Sequence, residues 1–176
     1  MNADQGTVYC VMGVSGCGKS SIGEALANYL QAEFIDGDTL HPRANIEKMC
    51  SGLALNDEDR KPWLASIVAK ADAISQQGKT AVIVCSALKK SYRDQLRQVG
   101  SKVVFIYLKG EQTLIRQRLE LRSNHFMPQH LLASQFLTLE TPSVAETDVI
   151  AIDIDASPEQ VLARCINSIS RKPALN

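Results

Sequence analysis

The segment GVSGCGKSS at residues 13–21 constrains the fold of this chain more than any other stretch of its sequence. It follows TVYCVM, a short apolar run rich in β-branched residues that is typical of a strand buried in a sheet. After it, apolar residues recur at helical spacing, at Ile22, Ala25, Leu26, Tyr29 and Leu30. A glycine-rich turn between a strand and a helix predicts a βα unit whose loop holds an anion at the amino end of the helix.

The residues of this loop, from Gly13 to Ser20, match the P-loop pattern G-x-x-x-x-G-K-[ST] completely. Glycines let the backbone turn its N–H groups towards phosphate oxygens. Lys19 can reach the β- and γ-phosphates, and the Ser20 hydroxyl can ligate Mg²⁺. The glycine order is G-x-x-G-x-G, which differs from the dinucleotide-binding order G-x-G-x-x-G. The sequence therefore predicts a nucleoside triphosphate site.

The rest of the pattern predicts an α/β fold with five parallel strands flanked by helices, in one domain over residues 1–176. Further strands are expected at AEFID, TAVIVC, KVVFIYL and DVIAIDI, and a last helix begins at Pro158 after Ser157 as its N-cap. Two insertions interrupt the alternation. Residues 39–79 are expected to hold a short helix ending near Gly52, a polar turn LNDEDRK and a helix from Pro62. Residues 118–135 are expected to hold a polar loop and an amphipathic helix.

Composition excludes several classes of protein. Lys plus Arg and Asp plus Glu both number 19, so a nucleic-acid-binding surface is not expected. No apolar run approaches the roughly 20 residues of a membrane span, and no secretory signal is seen. Five cysteines without a C-x-x-C pair favour reduced thiols over disulfides or zinc. We therefore expect a cytoplasmic protein that does not bind membranes.

Polar residues follow the second strand, in FIDGDTLHP at residues 34–42. One of Asp36 and Asp38 can hold Mg²⁺ through water, while the other accepts the proton of an attacking hydroxyl group. His41 lies three residues further on. The third strand ends in VCSALKK, without the aspartate of a usual Walker B motif. This arrangement argues against a GTPase or motor ATPase and favours a small-molecule kinase.

Basic residues gather on both insertions. Arg118 and Arg122 are four residues apart, which predicts that they share one helix face. A mobile cationic flap would stabilise the transferring phosphoryl group and exclude water. Lys89, Lys90 and Arg93 are candidates to face an anionic acceptor, although Lys90 fits a plain surface position equally well. The basic residues of the insertions are Arg43, Lys48, Arg60 and Lys61 in the first, and Arg116, Arg118, Arg122 and His125 around the second.

Over nearly its whole length the sequence resembles the gluconokinases, small P-loop kinases related to shikimate and nucleoside monophosphate kinases. DGDxLHPxxNIxKM and CSALKxxYRD are the blocks most specific to that family. Cys17 stands where many members have serine, a conservative departure. The resemblance is carried by MGVSGCGKS (12–20), FIDGDTLHPRANIEKMCSG (34–52), LNDEDRKPWL (55–64), IVCSALKKSYRDQLR (83–97), FIYLKG (105–110), HFMP (125–128), SQFLTLETP (134–142) and ETDVIAIDID (146–155).

The resemblance implies ATP-dependent phosphorylation of the 6-hydroxyl group of D-gluconate, giving 6-phosphogluconate and ADP, with Mg²⁺ and a homodimer. It implies that Lys19, Asp38 and Arg122 are catalytic. Asp38 would hold the acceptor hydroxyl group and is the candidate for its general base. Shikimate kinase, nucleoside monophosphate kinase and a non-catalytic P-loop switch are the alternatives. The implied ligand groups are Gly13, Val14, Ser15, Gly16, Cys17, Gly18, Lys19, Ser20, Ser21, Arg118 and Arg122 for ATP; Ser20 and Asp36 for the metal; and Asp36, Asp38, His41, Arg43, Arg60 and Lys89 for the sugar acid.

Overall fold

The computed structural model describes residues 6–122 and 129–171, with the backbone alone at residues 129 and 130. Strands and helices alternate as the sequence predicts. A short 3₁₀ helix, Gly37–Leu40, follows the second strand. The elements in chain order are β1 (Val8–Met12), α1 (Lys19–Leu30), β2 (Glu33–Asp36), α2 (Arg43–Cys50), α3 (Asp57–Ser75), β3 (Ala81–Val84), α4 (Lys90–Leu96), β4 (Val103–Lys109), α5 (Gln112–Leu121), α6 (Gln129–Thr138), β5 (Val149–Asp153) and α7 (Pro158–Arg171).

The five strands form one parallel sheet in the order β2-β3-β1-β4-β5. Val11 of the central strand β1 pairs with Val84 of β3 on one side and with Ile106 of β4 on the other. The chain first builds the β2–β3 side of the sheet and then crosses β1 to build the other side. Open α/β sheets bind ligands where the strand order reverses in this way, at the carboxyl ends of the strands.

Both faces of the sheet are buried, which confirms the expectation from the continuous apolar runs. On β1, Val8, Cys10 and Met12 pack in a cluster with residues of α3 and α4. Val11 points to the other face, into a cluster with residues of α1 and α7. The sheet is therefore packed on both faces, and its strands position the loops at its carboxyl edge.

The start of α3 differs from the prediction. The helix begins at Asp57, five residues before Pro62, and Asn56 caps it: the Asn56 side chain accepts from the Asp59 N–H, and the Asp59 carboxylate accepts from the Asn56 N–H. A proline predicts a helix start because its missing N–H costs nothing in the first turn. Here the capping box satisfies the first turn instead, so Asp57 and Arg60 are helical residues and not part of a polar turn.

The start of α7 confirms its prediction. Ser157 and Gln160 exchange hydrogen bonds between side chain and backbone, at 3.3 and 3.0 Å, and Pro158 is the first helical residue. All five cysteines are free. In residues 6–122 and 129–171, no helix combines the length and the apolar character that crossing a membrane would require.

Candidate active site

The P-loop joins β1 to α1 in a conformation that only glycine adopts readily. Gly16 and Gly18 have φ values of 81° and 95°, in the left-handed region that side chains with a Cβ atom avoid. A Cβ atom on Gly18 would meet no atom within 4 Å, so the backbone angle and not space explains the glycine. Lys19 is the first residue of α1, and its ammonium group donates to the Val14 carbonyl at 2.9 Å.

Cys17 fills the inside of this loop. Its side chain is 3% exposed, and burial raises the pKa of its thiol even though the Lys19 charge opposes that change. The thiol is therefore neutral at physiological pH. Cys17 packs as a small side chain, which agrees with its interpretation as a conservative replacement of serine.

A side chain from α6 contacts the P-loop directly. The Gln135 Oε1 atom accepts a hydrogen bond from the Ser15 N–H at 2.6 Å, and its Nε2 group donates to the Ser15 hydroxyl at 3.0 Å. Gln135 was not among the site residues predicted from the sequence. Since α6 belongs to the insertion predicted as a lid, the contact ties that insertion to the loop that is expected to hold phosphate.

The two carboxylates after β2 have different surroundings. Asp36 caps the 3₁₀ helix, because its Oδ1 atom accepts the Asp38 N–H at 3.0 Å. Asp38 is exposed, and no hydrogen bond or ion pair joins its carboxylate to the other residues that the structure describes. The short helix therefore fixes the backbone of Asp38 and leaves its carboxylate free to accept a proton or a hydrogen bond from a ligand.

Lys19 follows β1, Asp38 follows β2 and Cys85 follows β3, so all three lie at the carboxyl edge of the parallel sheet. Burial raises the pKa of the Cys85 thiol to about 12, and the charge of Asp38 adds to that increase while the charges of Lys19 and Arg60 oppose it. The charges of the P-loop, of the segment after β2 and of α3 therefore all influence the Cys85 thiol, although they come from separate parts of the sequence.

An open cavity of about 510 Å³ is lined by residues 54–58, Arg60, Lys89, Ser134 and Thr138. The Lys89 ammonium lies 2.9 Å from the Asp57 carboxylate, which also accepts from the Tyr92 hydroxyl. These hydrogen bonds, first from Tyr92 and then from Lys89, lower the pKa of Asp57, and the contact with Asp57 raises the pKa of Lys89. Lys89 and Arg60 thus present cations to a cavity between α3, α6 and the β3–α4 loop.

His41 follows the 3₁₀ helix and packs against Trp63 of α3. Their ring centroids are 4.2 Å apart with an interplanar angle of 14°, and the Trp63 Nε1–H donates to the Gly37 carbonyl at 2.7 Å. Asn45 of α2 lies 3.3 Å from the His41 Nδ1 atom. Burial lowers the pKa of His41, whereas the Asp38 charge raises it and the Arg60 charge lowers it.

The remaining predicted arginines do not join this group. Arg43 is 92% exposed in its side chain and pairs with Glu47 at 2.8 Å. Arg118 donates to the carbonyls of Ile154 and Ala156. Arg122 does not share a helix face with Arg118, because α5 ends at Leu121 and Arg122 has an extended backbone with ψ of 101°. His125 lies outside the described residues.

Arg93 has a structural position that differs from the one expected. It is buried, forms a two-bond ion pair with Glu146, and donates to the carbonyls of Ala87, Leu88 and Glu140. Its guanidinium therefore supports the β3–α4 loop and does not face a ligand. Lys90 pairs with Asp94 on the surface, which agrees with its alternative interpretation.

The oxygen atoms available near the P-loop fit a magnesium ion shared with a nucleotide. Ser20 is exposed in the first turn of α1, and Asp36 keeps one carboxylate oxygen outside its hydrogen bond to Asp38. Mg²⁺ prefers such oxygen ligands together with phosphates and water over an all-protein cage. The described residues contain no group of three or more His, Cys, Asp or Glu side chains that could hold a metal ion.

Five side chains of this region escaped the sequence analysis: Asn45, Asp57, Trp63, Tyr92 and Gln135. Each lies inside a block that carries the family resemblance. The family blocks could therefore have pointed to these residues. The sequence does not show their contacts, because each residue contacts other elements of the fold.

Comparisons with known proteins agree with this geometry. A family model described as shikimate kinase matches residues 15–170. The thermoresistant gluconokinase of Escherichia coli is 50% identical over 93% of this chain and 94% of its own length. A gluconokinase from Gluconobacter oxydans is 44% identical over 89% of this chain and 87% of its own length. The crystal structure of a gluconokinase from Sinorhizobium meliloti superposes with a TM-score of 0.86 at 40% identity, over 97% of this chain and 94% of that one. The chain therefore belongs to the gluconokinases, a family of P-loop kinases that the shikimate kinase model also matches.

Proposed function

We propose that this kinase transfers the γ-phosphoryl group of ATP to the 6-hydroxyl group of D-gluconate, giving 6-phosphogluconate and ADP. The observation that carries the proposal is that Lys19 of the P-loop, the free carboxylate of Asp38 and the cavity lined by Arg60 and Lys89 all lie at the carboxyl edge of the parallel sheet, after β1, β2 and β3. A phosphate-binding cation, a free carboxylate and a cation beside an open cavity are the groups that this reaction requires. The gluconokinases at 44–50% identity support the choice of acceptor.

ATP binding is assigned to the P-loop. The N–H groups of residues 13–18 and the amino end of α1 would hold the phosphates, together with Lys19, Ser20 and Ser21. Arg122, whose backbone N–H donates to the Leu119 carbonyl but whose side chain has no hydrogen bond or ion pair with the described residues, would contact the phosphates from the lid at residues 118–135. Arg118 would contact the nucleotide from the same lid while it supports the loop after β5.

Phosphoryl transfer needs one bond to form and one to break. The acceptor oxygen attacks the γ-phosphorus, the bond from that phosphorus to the β,γ-bridging oxygen breaks, and ADP leaves with that electron pair. The Asp38 carboxylate accepts the proton of the attacking hydroxyl group. Lys19 and Arg122 would stabilise the negative charge on the transferring group. Mg²⁺, held by Ser20 and by Asp36 through water, would supply further charge neutralisation when it is bound.

The sugar acid is assigned to the insertion at residues 39–79. Arg60 and Lys89 line the cavity and would bind the carboxylate, since the planar guanidinium group of arginine suits two-bond recognition of a carboxylate. His41, Asp36 and Asp38 would contact hydroxyl groups. Arg43 would bind the substrate only after its ion pair with Glu47 breaks.

Four broader properties belong to the same proposal. We expect residues 1–176 to act as one kinase domain, which forms a homodimer as the family resemblance implies. Size-exclusion chromatography with light scattering tests the dimer. The five free cysteines support a reducing compartment such as the cytoplasm. We expect this kinase to bind small molecules and neither nucleic acid nor membranes.

The first experiment measures ADP release with Mg-ATP against D-gluconate, other aldonates, shikimate and nucleoside monophosphates. We expect strong stimulation by D-gluconate, and nuclear magnetic resonance of the product should place phosphate on carbon 6. Stimulation by shikimate or by a nucleoside monophosphate instead would move the protein to that specificity. Stimulation by no acceptor would contradict the proposal and favour a nucleotide-binding switch.

A further inference from the structure

The hydrogen bonds of Asn45 determine which nitrogen of His41 carries a proton. The Asn45 side chain is buried, and its Nδ2 group lies 2.8 Å from the backbone carbonyl of Asp59. A backbone carbonyl only accepts hydrogen bonds, so the amide nitrogen and not the amide oxygen must face it. The orientation of the Asn45 amide is thereby fixed by chemistry.

The same Nδ2 group lies 3.3 Å from the His41 Nδ1 atom. An amide nitrogen has two hydrogens and cannot accept, so one hydrogen goes to Asp59 and the other to His41. His41 Nδ1 must therefore be the unprotonated, accepting nitrogen. In a neutral imidazole the proton then resides on Nε2, which has no hydrogen-bond partner among the described residues and belongs to a half-buried ring.

Other contacts hold the ring and disfavour its charged form. Trp63 covers one face of the imidazole, and the Trp63 indole is itself anchored to Gly37. Burial lowers the pKa of His41, and Arg60 of α3 acts in the same direction, while Asp38 of the 3₁₀ helix acts against both. The neighbouring charges of α2 are paired, Arg43 with Glu47 and Lys48 with Asp59. A proton on Nδ1 would also face the Asn45 N–H, which is repulsive.

We propose that Asn45 is a positioning residue that keeps His41 neutral with its proton on Nε2, so that His41 donates this hydrogen to an acceptor oxygen. His41 then selects an acceptor with a hydroxyl or carboxylate oxygen at that point, and it acts neither as a base nor as a cation. The donation to the sugar acid rests on the proposed function. The state of His41 does not, because it follows from the protein alone.

Nitrogen-15 nuclear magnetic resonance of the histidine side chains tests the state of His41 directly. The chain has three histidines, and His41→Gln assigns the His41 signal. We expect Nδ1 to be unprotonated at neutral pH and the titration midpoint to lie below that of free histidine. A proton on Nδ1, or a charged ring at neutral pH, in the wild-type protein would overturn the proposal.

Asn45→Ala removes the hydrogen bond to Nδ1 and should shift the His41 titration midpoint upwards, because that bond favours the neutral ring. The charged ring would keep its Nε2–H, so the titration midpoint and not the KM for D-gluconate is the readout for Asn45, and the KM for ATP should be unchanged. Asn28→Ala, at an exposed site on α1, is the matched control. An unchanged midpoint in a folded Asn45→Ala protein would show that Asn45 does not set the state of His41.

His41→Ala tests the donation itself and should raise the KM for D-gluconate roughly 3- to 10-fold, the range for one lost hydrogen bond. His41→Gln, whose amide can still donate, should recover part of this loss. If gluconate-dependent ADP release is normal in His41→Ala, the donor role is wrong and the proposed function stands. If the wild type shows no gluconate-dependent release, the proposed function fails, and the resonance titration still decides the Asn45–His41 part.

Discussion

Lys19 contributes a full positive charge to the P-loop, where its ammonium group lies against the Val14 carbonyl. Lys19→Ala should lower kcat by roughly 10²-fold or more, because one pre-positioned charge at the transferring phosphoryl group has an effect of that size. Steady-state ADP release measures the change. Lys70→Ala, at an exposed site on α3, is the control, and a near-normal rate for Lys19→Ala would contradict the assignment of this loop.

Asp38 is a second residue whose effect should be on chemistry and not on nucleotide binding. Asp38 is exposed and its carboxylate has no hydrogen bond or ion pair with the described residues, while its backbone is held by Asp36. Asp38→Asn should lower kcat by roughly 10²- to 10⁴-fold, the usual contribution of a general base, with the Kd of ATP unchanged by calorimetry. If ATP affinity alone falls, Asp38 serves the nucleotide and not the acceptor.

At the scale of elements, α6 contacts the P-loop through two hydrogen bonds between Gln135 and Ser15. Gln135→Glu keeps the size and the acceptor for the Ser15 N–H but places a negative charge where phosphate is expected. The Kd of ATP should rise about tenfold or more, which corresponds to about 1.4 kcal/mol. Gln98→Glu makes the same charge change at an exposed site after α4. Equal ATP affinities of Gln135→Glu and Gln98→Glu would contradict this expectation and would show that the phosphates bind away from Gln135.

Element boundaries show how far local signals reach. Ser157 and Pro158 predicted the start of α7 correctly, because both act through the first turn of one helix. Pro62 gave a wrong start for α3, because the competing cap at Asn56 stabilises an earlier turn. Spacing also placed Arg118 and Arg122 on one helix face, but α5 ends between them. Spacing predicts a shared face only while the helix continues.

At the scale of the whole molecule, Arg93 and Glu146 join α4 to the segment before β5 through a buried ion pair at 2.7 Å. Arg97 adds a second contact to Glu146. Glu146→Ala would leave the buried Arg93 charge without its carboxylate partner, and we expect the free energy of unfolding to fall by about 3–5 kcal/mol. Urea unfolding at neutral pH measures it. Glu47→Ala, which removes an exposed pair, should cost less than about 1 kcal/mol; an equally small loss for Glu146→Ala would contradict the role of the buried pair.

The same pair makes stability depend on pH. The hydrogen bonds from Arg93 lower the pKa of Glu146 from 4.5 to about 2 in the folded protein. A carboxyl group with a lowered folded pKa stabilises the fold above its unfolded pKa, and that stabilisation is lost as pH falls from about 4.5 towards 2. Glu146→Gln should therefore flatten the wild-type loss of stability over this range, as measured by urea unfolding at successive pH values. An identical pH dependence in both proteins would show that other groups control acid unfolding.

The sequence by itself determined the P-loop, the five strands and the acidic segment after β2. These features depend on residues that are adjacent along the chain, where glycine geometry, strand burial and helix capping act locally. The tertiary structure alone decided that Arg93 is buried with Glu146, that Gln135 contacts Ser15, and that Trp63 and Asn45 hold His41. Each of these contacts joins different elements, so its energy depends on how the sheet and helices pack. The local sequence around a basic or amide side chain is the same whether that side chain binds a ligand or another part of the protein.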